Sequence, residues 1–446
     1  MKMFKIYSII TLAVVTLTVT SCKKKFFYDK INEDPTALNT AEPSVLLPAA
    51  EANLVYYYGG DLSRLSGVIN QQMVGAANQW VGIGTLYSIG DDETDNCWNS
   101  LYTTTLNNLN KMNAYANTKG NLYYVGIGKI LTAYTMSTVT DMWGDAPYSE
   151  AFQGAGKLQP KYDAQQSIYS AMHTLIDEGI TALATPSGKA GVLPGADDFI
   201  YGGDPDAWTK FAHALKARLY LHLSKKDPSN VQKALDELPL AFTSKADDGK
   251  FESFDATSAN PSYQFQDQRD GDITYKTGYM FTKMAALTDP RLPKYVDTTG
   301  GGNRIGDAIG SATSPVYLLS YMEQLFMEAE LQQRKGDTAK AHTAYNQAIT
   351  ESFAMWGATG SAAYIAANPY PTVAADQMKQ IMTQKYFAMF TNPESWTDVR
   401  RTGYPAISPV VGTDIPRRLT YPQSETLYNK TNMPSVTLFS KVWWDQ

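Results

Sequence analysis

Cysteine and histidine are scarce in this sequence of 446 residues, which contains two cysteines and four histidines. It has no H-E-x-x-H metalloprotease motif, no G-x-S-x-G nucleophile turn and no complete phosphate-binding loop. Two cysteines can form one disulfide at most, so the fold must depend mainly on its hydrophobic core. We therefore assign no catalytic residue, no metal ligand and no cofactor. The 44 acidic residues leave open one alternative, a glycosidase that uses two carboxylates.

Basic charge is limited as well. The 38 lysines and arginines are outnumbered by 44 acidic residues, which gives a formal net charge of −6. A nucleic-acid-binding protein needs a basic face, so this balance argues against a nucleic-acid partner. Beyond residue 21 no apolar run is long enough to cross a bilayer, which predicts a globular body outside the inner membrane.

The N-terminal segment has the pattern of an export signal that ends at a cysteine. Two early lysines precede a short apolar stretch, and small residues come directly before Cys22. This arrangement resembles a bacterial lipobox, in which the cysteine is acylated and the chain is cut before it. We expect residues 1–21 to be a lipoprotein signal peptide, Cys22 to be the lipidation site and residues 22–42 to be a lipid-anchored leader. An ordinary secretory signal followed by an incidental cysteine is the alternative.

Helical periodicity dominates from residue 43 onward and predicts one mainly α-helical domain over residues 43–446. Between about 240 and 314 the apolar stripe gives way to aromatic residues, glycine and proline, which predicts a loop-rich insertion where a binding surface is expected. Asp206 is expected to cap one helix, and Gly144 to end another. The expected helices lie at about 43–57, 98–117, 121–142, 163–183, 205–225, 230–239, 315–334, 338–354 and 375–391.

One helical hairpin has the spacing of a tetratricopeptide repeat. In residues 319–353 a small Ala329 precedes a Gly-Asp turn, and Ala341, Tyr345 and Ala348 follow at offsets of four and three. Small residues let two antiparallel helices approach, and the tyrosine fills the space between them. Residues 211–240 contain a weaker pair, for which an ordinary helical hairpin is the alternative. Such repeats build scaffolds and partner-binding surfaces.

Several further stretches occur in a characteristic order along the chain. Together with the lipobox at Cys22 and the tetratricopeptide-like helices, they are "INEDPTALNTAEPSVLLPAA" (31–50), "TDMWGDAPYSEAF" (140–152), "SWTDVRRTGYP" (395–405), "IPRRLTYPQSETLYN" (415–429) and "KVWWDQ" (441–446). In this order they resemble the SusD/RagB family, in particular the SusD-like outer-membrane lipoproteins of Bacteroidetes, over nearly the whole mature chain. The resemblance implies a non-catalytic nutrient-binding lipoprotein at the outer membrane, facing outside, whose scaffold of tetratricopeptide-like helix pairs faces a SusC-like TonB-dependent β-barrel transporter. Its ligand would be a glycan or an oligopeptide.

The sequence is rich in aromatic residues that suit a carbohydrate ligand, with 29 tyrosines and eight tryptophans. Sugars stack their C–H faces on aromatic rings and offer hydroxyl groups to amides, carboxylates and guanidinium groups. The resemblance implies that ligand contacts come from two regions, 78–100 and 260–279. Burial in the core is the alternative for each aromatic ring. The candidate ligand-binding residues are Asn78, Trp80, Tyr87, Tyr263, Phe265, Arg269, Asp270 and Tyr275.

Two functional alternatives remain beside nutrient binding. A scaffold or gating subunit of the transporter would touch no nutrient, and a hydrolase would act on the same nutrient. Loss of binding in Trp80→Ala or Tyr263→Ala would favour the binding function, because both rings are expected to form a stacking platform.

Two charged segments invite a functional interpretation. The acidic run at residues 91–96 contains oxygen ligands for Ca²⁺ but lacks the EF-hand pattern, so we expect a solvated acidic turn before a buried helix that starts near Cys97.

Four arginines near the C-terminus resemble a phosphate site, but adjacent arginines cannot all face one side. The family resemblance implies that they are structural and paired with carboxylates; they are Arg400, Arg401, Arg417 and Arg418.

Overall fold

Pairs of antiparallel helices are the building unit of the fold. The computed structural model describes residues 41–297 and 304–446, and residues 42–446 of this range pack as one unit. The expected signal peptide, Cys22 and most of the leader lie outside the described residues, as does 298–303 of the glycine-rich loop. Among the residues that the structure describes, no helix has the length and apolar character needed to cross a membrane.

The helices are α1 (Pro43–Tyr57), α2 (Ser63–Ile69), α3 (Gln79–Leu86), α4 (Asp92–Ser100), α5 (Asn107–Lys119), α6 (Leu122–Trp143), α7 (Gln165–Leu183), α8 (Pro205–His222), α9 (Ser229–Glu237), α10 (Pro261–Gln268), α11 (Tyr279–Ala286), α12 (Leu292–Tyr295), α13 (Asp307–Gly310), α14 (Tyr321–Lys335), α15 (Thr338–Met355), α16 (Ser361–Ala367), α17 (Ala374–Ala388), α18 (Glu394–Thr402) and α19 (Gln423–Tyr428). Two π-helical turns (Tyr58–Leu62 and Leu101–Leu106) and short 3₁₀ turns connect them.

Within the described residues the strands are short and form three separate antiparallel pairs. They are β1 (Val74–Gly75) with β3 (Ile273–Thr274), β2 (Gly249–Phe251) with β6 (Val316–Leu319), and β4 (Val296–Asp297) with β5 (Arg304–Ile305). Because none of these pairs makes an extended sheet, the core is built by helix packing, and the mainly α-helical prediction is confirmed.

The tetratricopeptide-like hairpin appears as α14 and α15. Ala329, Ala341, Tyr345 and Ala348 are fully buried between the two helices. Gly336 ends α14 with a φ of 86°, a left-handed conformation that costs glycine little. The weaker predicted pair forms α8 and α9, whose apolar side chains pack in one cluster with Met327 and Leu331 of α14. The two hairpins therefore stack, as the repeat spacing predicts.

Helices α6 and α7 form another hairpin with an unusually close approach. A Cβ added at Gly179 would lie 3.0 Å from the Gly126 carbonyl oxygen and 2.8 Å from Ile130 Cγ1. Glycine at this crossing lets the backbones touch, which no larger residue allows without displacement. Helix α6 ends at Trp143, and Gly144 follows with a φ of 82°, which confirms the predicted end.

Helix beginnings correct three expectations. Asp204, not Asp206, caps α8, because its side chain accepts hydrogen bonds from two backbone amides while Pro205 occupies the first helical position. The helix expected from residue 315 begins at Tyr321, since Val316–Leu319 pairs with β2 and Ser320 caps α14. Residues 92–96 belong to α4, not to a solvated turn. Carboxylates in a first helical turn are favoured by the helix dipole.

The region expected to be loop-rich contains helices of its own. Helix α10 begins at Pro261, and Asn260 caps it by accepting hydrogen bonds from the amides of Ser262 and Tyr263. Helix α11 follows at Tyr279–Ala286. The apolar periodicity missed both because eight residues make only about two turns.

The four C-terminal arginines are buried in the core. Arg401 pairs with Glu330 and Asp398, and Arg417 pairs with Asp445, as expected. The other two differ from the expectation, because Arg400 donates to backbone carbonyls, including that of Asp141 at 2.7 Å, and Arg418 donates to the Trp143 carbonyl. Two of these arginines thus satisfy buried backbone oxygens, which would otherwise cost free energy.

Long-range hydrogen bonds fix the N-terminal helices to the C-terminal ones. Gln72 Nε2 donates to the Tyr386 carbonyl over 2.8 Å, and the Tyr386 hydroxyl donates to the Asn70 carbonyl over 2.8 Å. Tyr58 in the first π-helical turn donates to Asn392 Oδ1, also over 2.8 Å. Helix α2 is therefore positioned by α17 and the segment that follows it.

Candidate functional site

A cleft of about 450 Å³ lies where the two sequence-predicted ligand regions meet. One wall consists of α3 and α4, the other of α10, and α1 and α2 close the floor. Its lining residues are Tyr56, Asp61, Arg64, Leu65, Gln79, Trp80, Ile83, Asp92, Glu93, Asn96, Pro261, Gln264, Phe265, Gln268 and Arg269.

Asp272 connects the two walls. It accepts hydrogen bonds from Asn78 Nδ2 at 2.6 Å and from Arg269 Nε at 2.7 Å, and its backbone carbonyl accepts from the Ala76 amide at 2.8 Å. Arg269 also donates from Nη2 to Gln79 Oε1 over 2.9 Å. These bonds and the β1–β3 pairing hold α3 beside α10, so the width of the cleft is set by polar contacts.

Aromatic side chains line the floor and both walls. Trp80 and Phe265 meet edge to face, with ring centroids 5.7 Å apart and planes at 86°. Arg64 covers one face of Phe265, with its guanidinium carbon 4.3 Å from the ring centroid. Trp80 is only 6% exposed, whereas Tyr56 is 41% exposed and offers a ring to a ligand. Tyr56 is therefore the most exposed aromatic ring of the lining.

The charges of the cleft fall into compensated and uncompensated groups. Arg64 forms an ion pair with Asp61, and Arg269 forms one with Asp272. Asp92 and Glu93 form no ion pair with a basic side chain in the part of the chain that the structure describes. The Glu93 carboxylate accepts a hydrogen bond from the Gly90 amide at 2.7 Å.

Asp92 and Glu93 also interact with each other. A hydrogen bond between the two carboxyl groups lowers the pKa of Asp92 from its ordinary value. Burial, and then the same contact with Asp92, raises the pKa of Glu93. Two carboxyl groups in direct contact do not flank a scissile bond at the separation of about 5–9.5 Å that glycosidases use.

The structure brings together part of the sequence-predicted set. Trp80, Phe265 and Arg269 line the cleft, and Asn78 supports it through Asp272. The remaining candidates lie outside the lining: Tyr87 is buried beside Phe439, Tyr275 is buried beside Phe390, Tyr263 is exposed on the other side of α10, and Asp270 lies 3.5 Å from Arg304.

Sequence reasoning missed three kinds of lining residue. Tyr56 lies at the end of a helix whose periodicity explained it as scaffold, and Arg64 lies on α2, which is too short to give a clear periodic signal. The acidic pattern of 91–96 suggests oxygen ligands for Ca²⁺ or a solvated turn, and it does not indicate that these residues line a cleft. A signal existed in the last case, because an acidic first turn beside a flexible glycine-rich segment marks a helix that begins near a loop.

A second cluster of titratable side chains lies in the core. Asp141, His222 and Glu394 each place one potential metal ligand atom within 4.8 Å of the others. Burial disfavours the imidazolium, but Glu394 and Asp141 outweigh burial and raise the pKa of His222 to about 9. Both ring nitrogens face carboxylates, Nε2 at 2.7 Å from Glu394 Oε1 and Nδ1 at 3.4 Å from Asp141 Oδ2, which suits a protonated ring. The cluster is therefore a buried salt-bridge triad.

Cys97 carries no sign of reactivity. Its side chain is fully buried in α4, and burial, followed by the charge of Asp61, raises the pKa of its thiol well above the ordinary value. A protonated, inaccessible thiol is a poor nucleophile.

Sequence comparison links most of the chain to one family. Residues 35–422 match the model of the SusD-like family, which is described as starch-binding and associating with the outer membrane. No protein with a curated description matches the chain significantly.

Solved structures share the fold across its length. A SusD/RagB family protein from Bacteroides thetaiotaomicron is 23% identical and superposes with a TM-score of 0.75 over 91% of this chain and 99% of its own. A chitin-binding SusD homologue from Flavobacterium johnsoniae is 21% identical, with a TM-score of 0.75 over 90% of this chain and 98% of its own. A Bacteroidetes SusD-like protein, AC2a, is 21% identical, with a TM-score of 0.78 over 91% of this chain and 100% of its own.

Proposed function

The chain belongs to the SusD-like family of starch-binding proteins that associate with the outer membrane, and from that premise we propose that it binds a glycan at the cell surface. It holds the glycan, or another nutrient oligomer, in the cleft between α3, α4 and α10. It then passes the ligand to a SusC-like TonB-dependent β-barrel. The family description and the chitin-binding relative support a carbohydrate over an oligopeptide.

The observation that carries this proposal is that the two regions predicted to contact the ligand both line the same cleft. Regions 78–100 and 260–279 are far apart in sequence, yet Gln79 and Arg269 are hydrogen-bonded across it. The lining combines an exposed tyrosine with amides and guanidinium groups, which are the groups that recognise sugar faces and hydroxyls.

Membrane attachment is the second part of the proposal. The lipobox pattern supports acylation at Cys22, with residues 22–42 as the tether. The stacked helical hairpins would then serve as the surface that contacts the barrel, because such repeats present extended partner-binding faces.

Binding is tested by isothermal titration calorimetry of the mature protein with starch and chitin oligosaccharides and an unrelated oligopeptide. We expect measurable affinity for at least one oligosaccharide and competition between that sugar and its polymer. A protein that binds no carbohydrate, yet copurifies with the transporter, would support the scaffold function instead.

Attachment and partnership are tested by mild detergent extraction of native outer membranes and affinity capture of this protein. Mass spectrometry of the captured material should reveal an acylated Cys22 and a large TonB-dependent barrel. The matched control is Cys22→Ser, which should move the protein to the soluble fraction. Recovery of an unacylated protein without a barrel would overturn both statements.

A further inference from the structure

The cleft has an electrostatic asymmetry that bears on the charge of its ligand. Its two guanidinium groups are each neutralised by a carboxylate, Arg64 by Asp61 and Arg269 by Asp272. Asp92 and Glu93 have no such partner among residues 41–297 and 304–446. The lining therefore carries a net negative charge at the α4 wall.

The two carboxylates are held at the cleft by the backbone. Both belong to the first turn of α4, where the helix dipole favours negative charge. The Gly90 amide fixes Glu93 at 2.7 Å, whereas Asp92 is exposed to the cleft and to solvent. A ligand that lies on Tyr56 and Phe265 shares this cleft with both carboxylates.

Most of the other polar groups of the lining are neutral amides, beside the Tyr56 hydroxyl and the Trp80 indole N–H. Gln264 is held by a hydrogen bond from its Nε2 to the Ala259 carbonyl at 2.6 Å, and Gln79 by Arg269. Asn96 and Gln268 complete this set. Amides recognise hydroxyl and acetamido groups without regard to the charge of the ligand, so they leave the selection by charge to the carboxylates.

We propose that this cleft selects neutral and amino-bearing oligosaccharides and rejects uronic-acid and sulfated ones. The inference rests on the proposed glycan-binding function and adds the charge class of the ligand. A protonated amino sugar gains charge-assisted hydrogen bonds to Asp92 and Glu93. A polyanion meets uncompensated like charge, and the guanidinium groups that would attract it are already neutralised.

The test is calorimetry of the mature protein with a panel of hexasaccharides at low salt. The panel contains neutral glucose and N-acetylglucosamine oligomers, a cationic glucosamine oligomer, and anionic galacturonate and sulfated oligomers. We expect the tightest ligand to be neutral or cationic, and the glucosamine oligomer to bind more weakly as salt is added.

The double variant Asp92→Asn/Glu93→Gln tests the residues themselves. We expect about a tenfold loss of affinity for the glucosamine oligomer, a gain for the anionic oligomers and little change for the neutral ones. Asp267→Asn is the matched control, because this exposed carboxylate lies on α10 outside the lining. Thermal unfolding should show both variants to be folded.

The outcomes separate the two proposals. If an anionic oligomer binds most tightly, or the double variant changes no affinity for charged oligomers, the charge selection is wrong while glycan binding stands. If no oligomer of any class binds, the glycan-binding function itself is wrong, and the charge selection falls with it.

Discussion

Arg269 donates a hydrogen bond to Gln79 over 2.9 Å and so connects two regions of the chain that are 190 residues apart. The same guanidinium group forms an ion pair with Asp272, and Asp272 also accepts a hydrogen bond from the Asn78 side-chain amide. A planar group with several donors is suited to holding two partners at once. We infer that Arg269 positions the cleft walls.

Arg269→Lys should therefore weaken glycan binding with little loss of stability. A lysine keeps the positive charge but cannot donate to Asp272 and Gln79 in the same fork geometry. We expect about a tenfold weaker affinity, and a change in unfolding free energy below about 1 kcal/mol because the pair is partly exposed. Calorimetry measures the affinity, and urea unfolding measures the unfolding free energy. Arg304→Lys is the control, since its ion pair with Asp270 lies outside the cleft lining. Equal losses in both variants would contradict a positioning role.

Tyr56 and Tyr263 form a matched pair of exposed aromatic residues. Tyr56 is 41% exposed and lines the cleft, whereas Tyr263 is 37% exposed and does not. Tyr56→Ala should cost about 1–3 kcal/mol of binding free energy through lost stacking. Tyr263→Ala should leave affinity unchanged, unlike the expectation from sequence. Calorimetry with one oligosaccharide compares the affinities of the two variants. A larger loss of affinity in Tyr263→Ala than in Tyr56→Ala would show that the ligand binds on the other side of α10.

The site was predictable only in part, for a physical reason. Aromatic and amide residues crowd regions 78–100 and 260–279, so composition located Trp80 and Phe265. Composition cannot report which side of a short helix faces a cleft, and Tyr263 and Phe265 point to different sides of α10. Tyr56 and Arg64 enter the site through tertiary packing, for which a local pattern carries no signal.

The fold was more predictable because long helices carry many turns of periodic apolar spacing. Prediction matched structure within about two residues for α1, α6, α7 and α15. It failed where the chain changes direction within a few residues. At β6, Val316–Leu319 lies directly before α14 and is apolar like it, but it pairs as a strand. A short apolar run fits both a strand and a helix, and only its partner decides.

His222 makes stability depend on pH. Despite the opposing effect of burial, Glu394 and Asp141 raise its folded-state pKa to about 9, above an ordinary value of about 6.5. The folded protein therefore binds this proton more tightly than the unfolded chain. Its stabilising contribution is complete below about pH 6.5 and is lost as pH rises through about 9.

Urea unfolding between pH 6 and pH 10 measures this dependence. We expect His222→Gln to be less stable than the parent near pH 6, with a difference that narrows toward pH 10. The exposed His342→Gln variant is the control and should follow the parent curve. A parallel offset between His222→Gln and the parent at every pH would show that the ring is neutral in the folded protein.

The close contact of α6 and α7 predicts an unusual response to alanine. Gly179→Ala would improve helix propensity by about 1 kcal/mol, yet the new Cβ would meet the Gly126 carbonyl oxygen at 3.0 Å. We expect a net destabilisation of about 1–3 kcal/mol from overpacking. Thermal and urea unfolding measure it.

Gly82→Ala is the control for this effect, because a Cβ there has its nearest neighbour at an ordinary 3.4 Å. It should be neutral or stabilising by up to about 1 kcal/mol. Stabilisation by Gly179→Ala would mean that the helices separate at little cost.

Gln72 donates a hydrogen bond to the Tyr386 carbonyl and the Tyr386 hydroxyl donates one to the Asn70 carbonyl, so the cleft depends on a late part of the chain. Every cleft residue precedes position 270, but α2, which carries Arg64, is fixed by a helix more than 300 positions downstream. Synthesis from the N-terminus thus produces all the side chains that line the cleft long before α17, the helix that holds α2. Such distant closures are slow to form. If the cleft binds a glycan as proposed, we expect recognition to arise late in folding, because Arg64 is held in place only once α17 has joined the segment that follows α2.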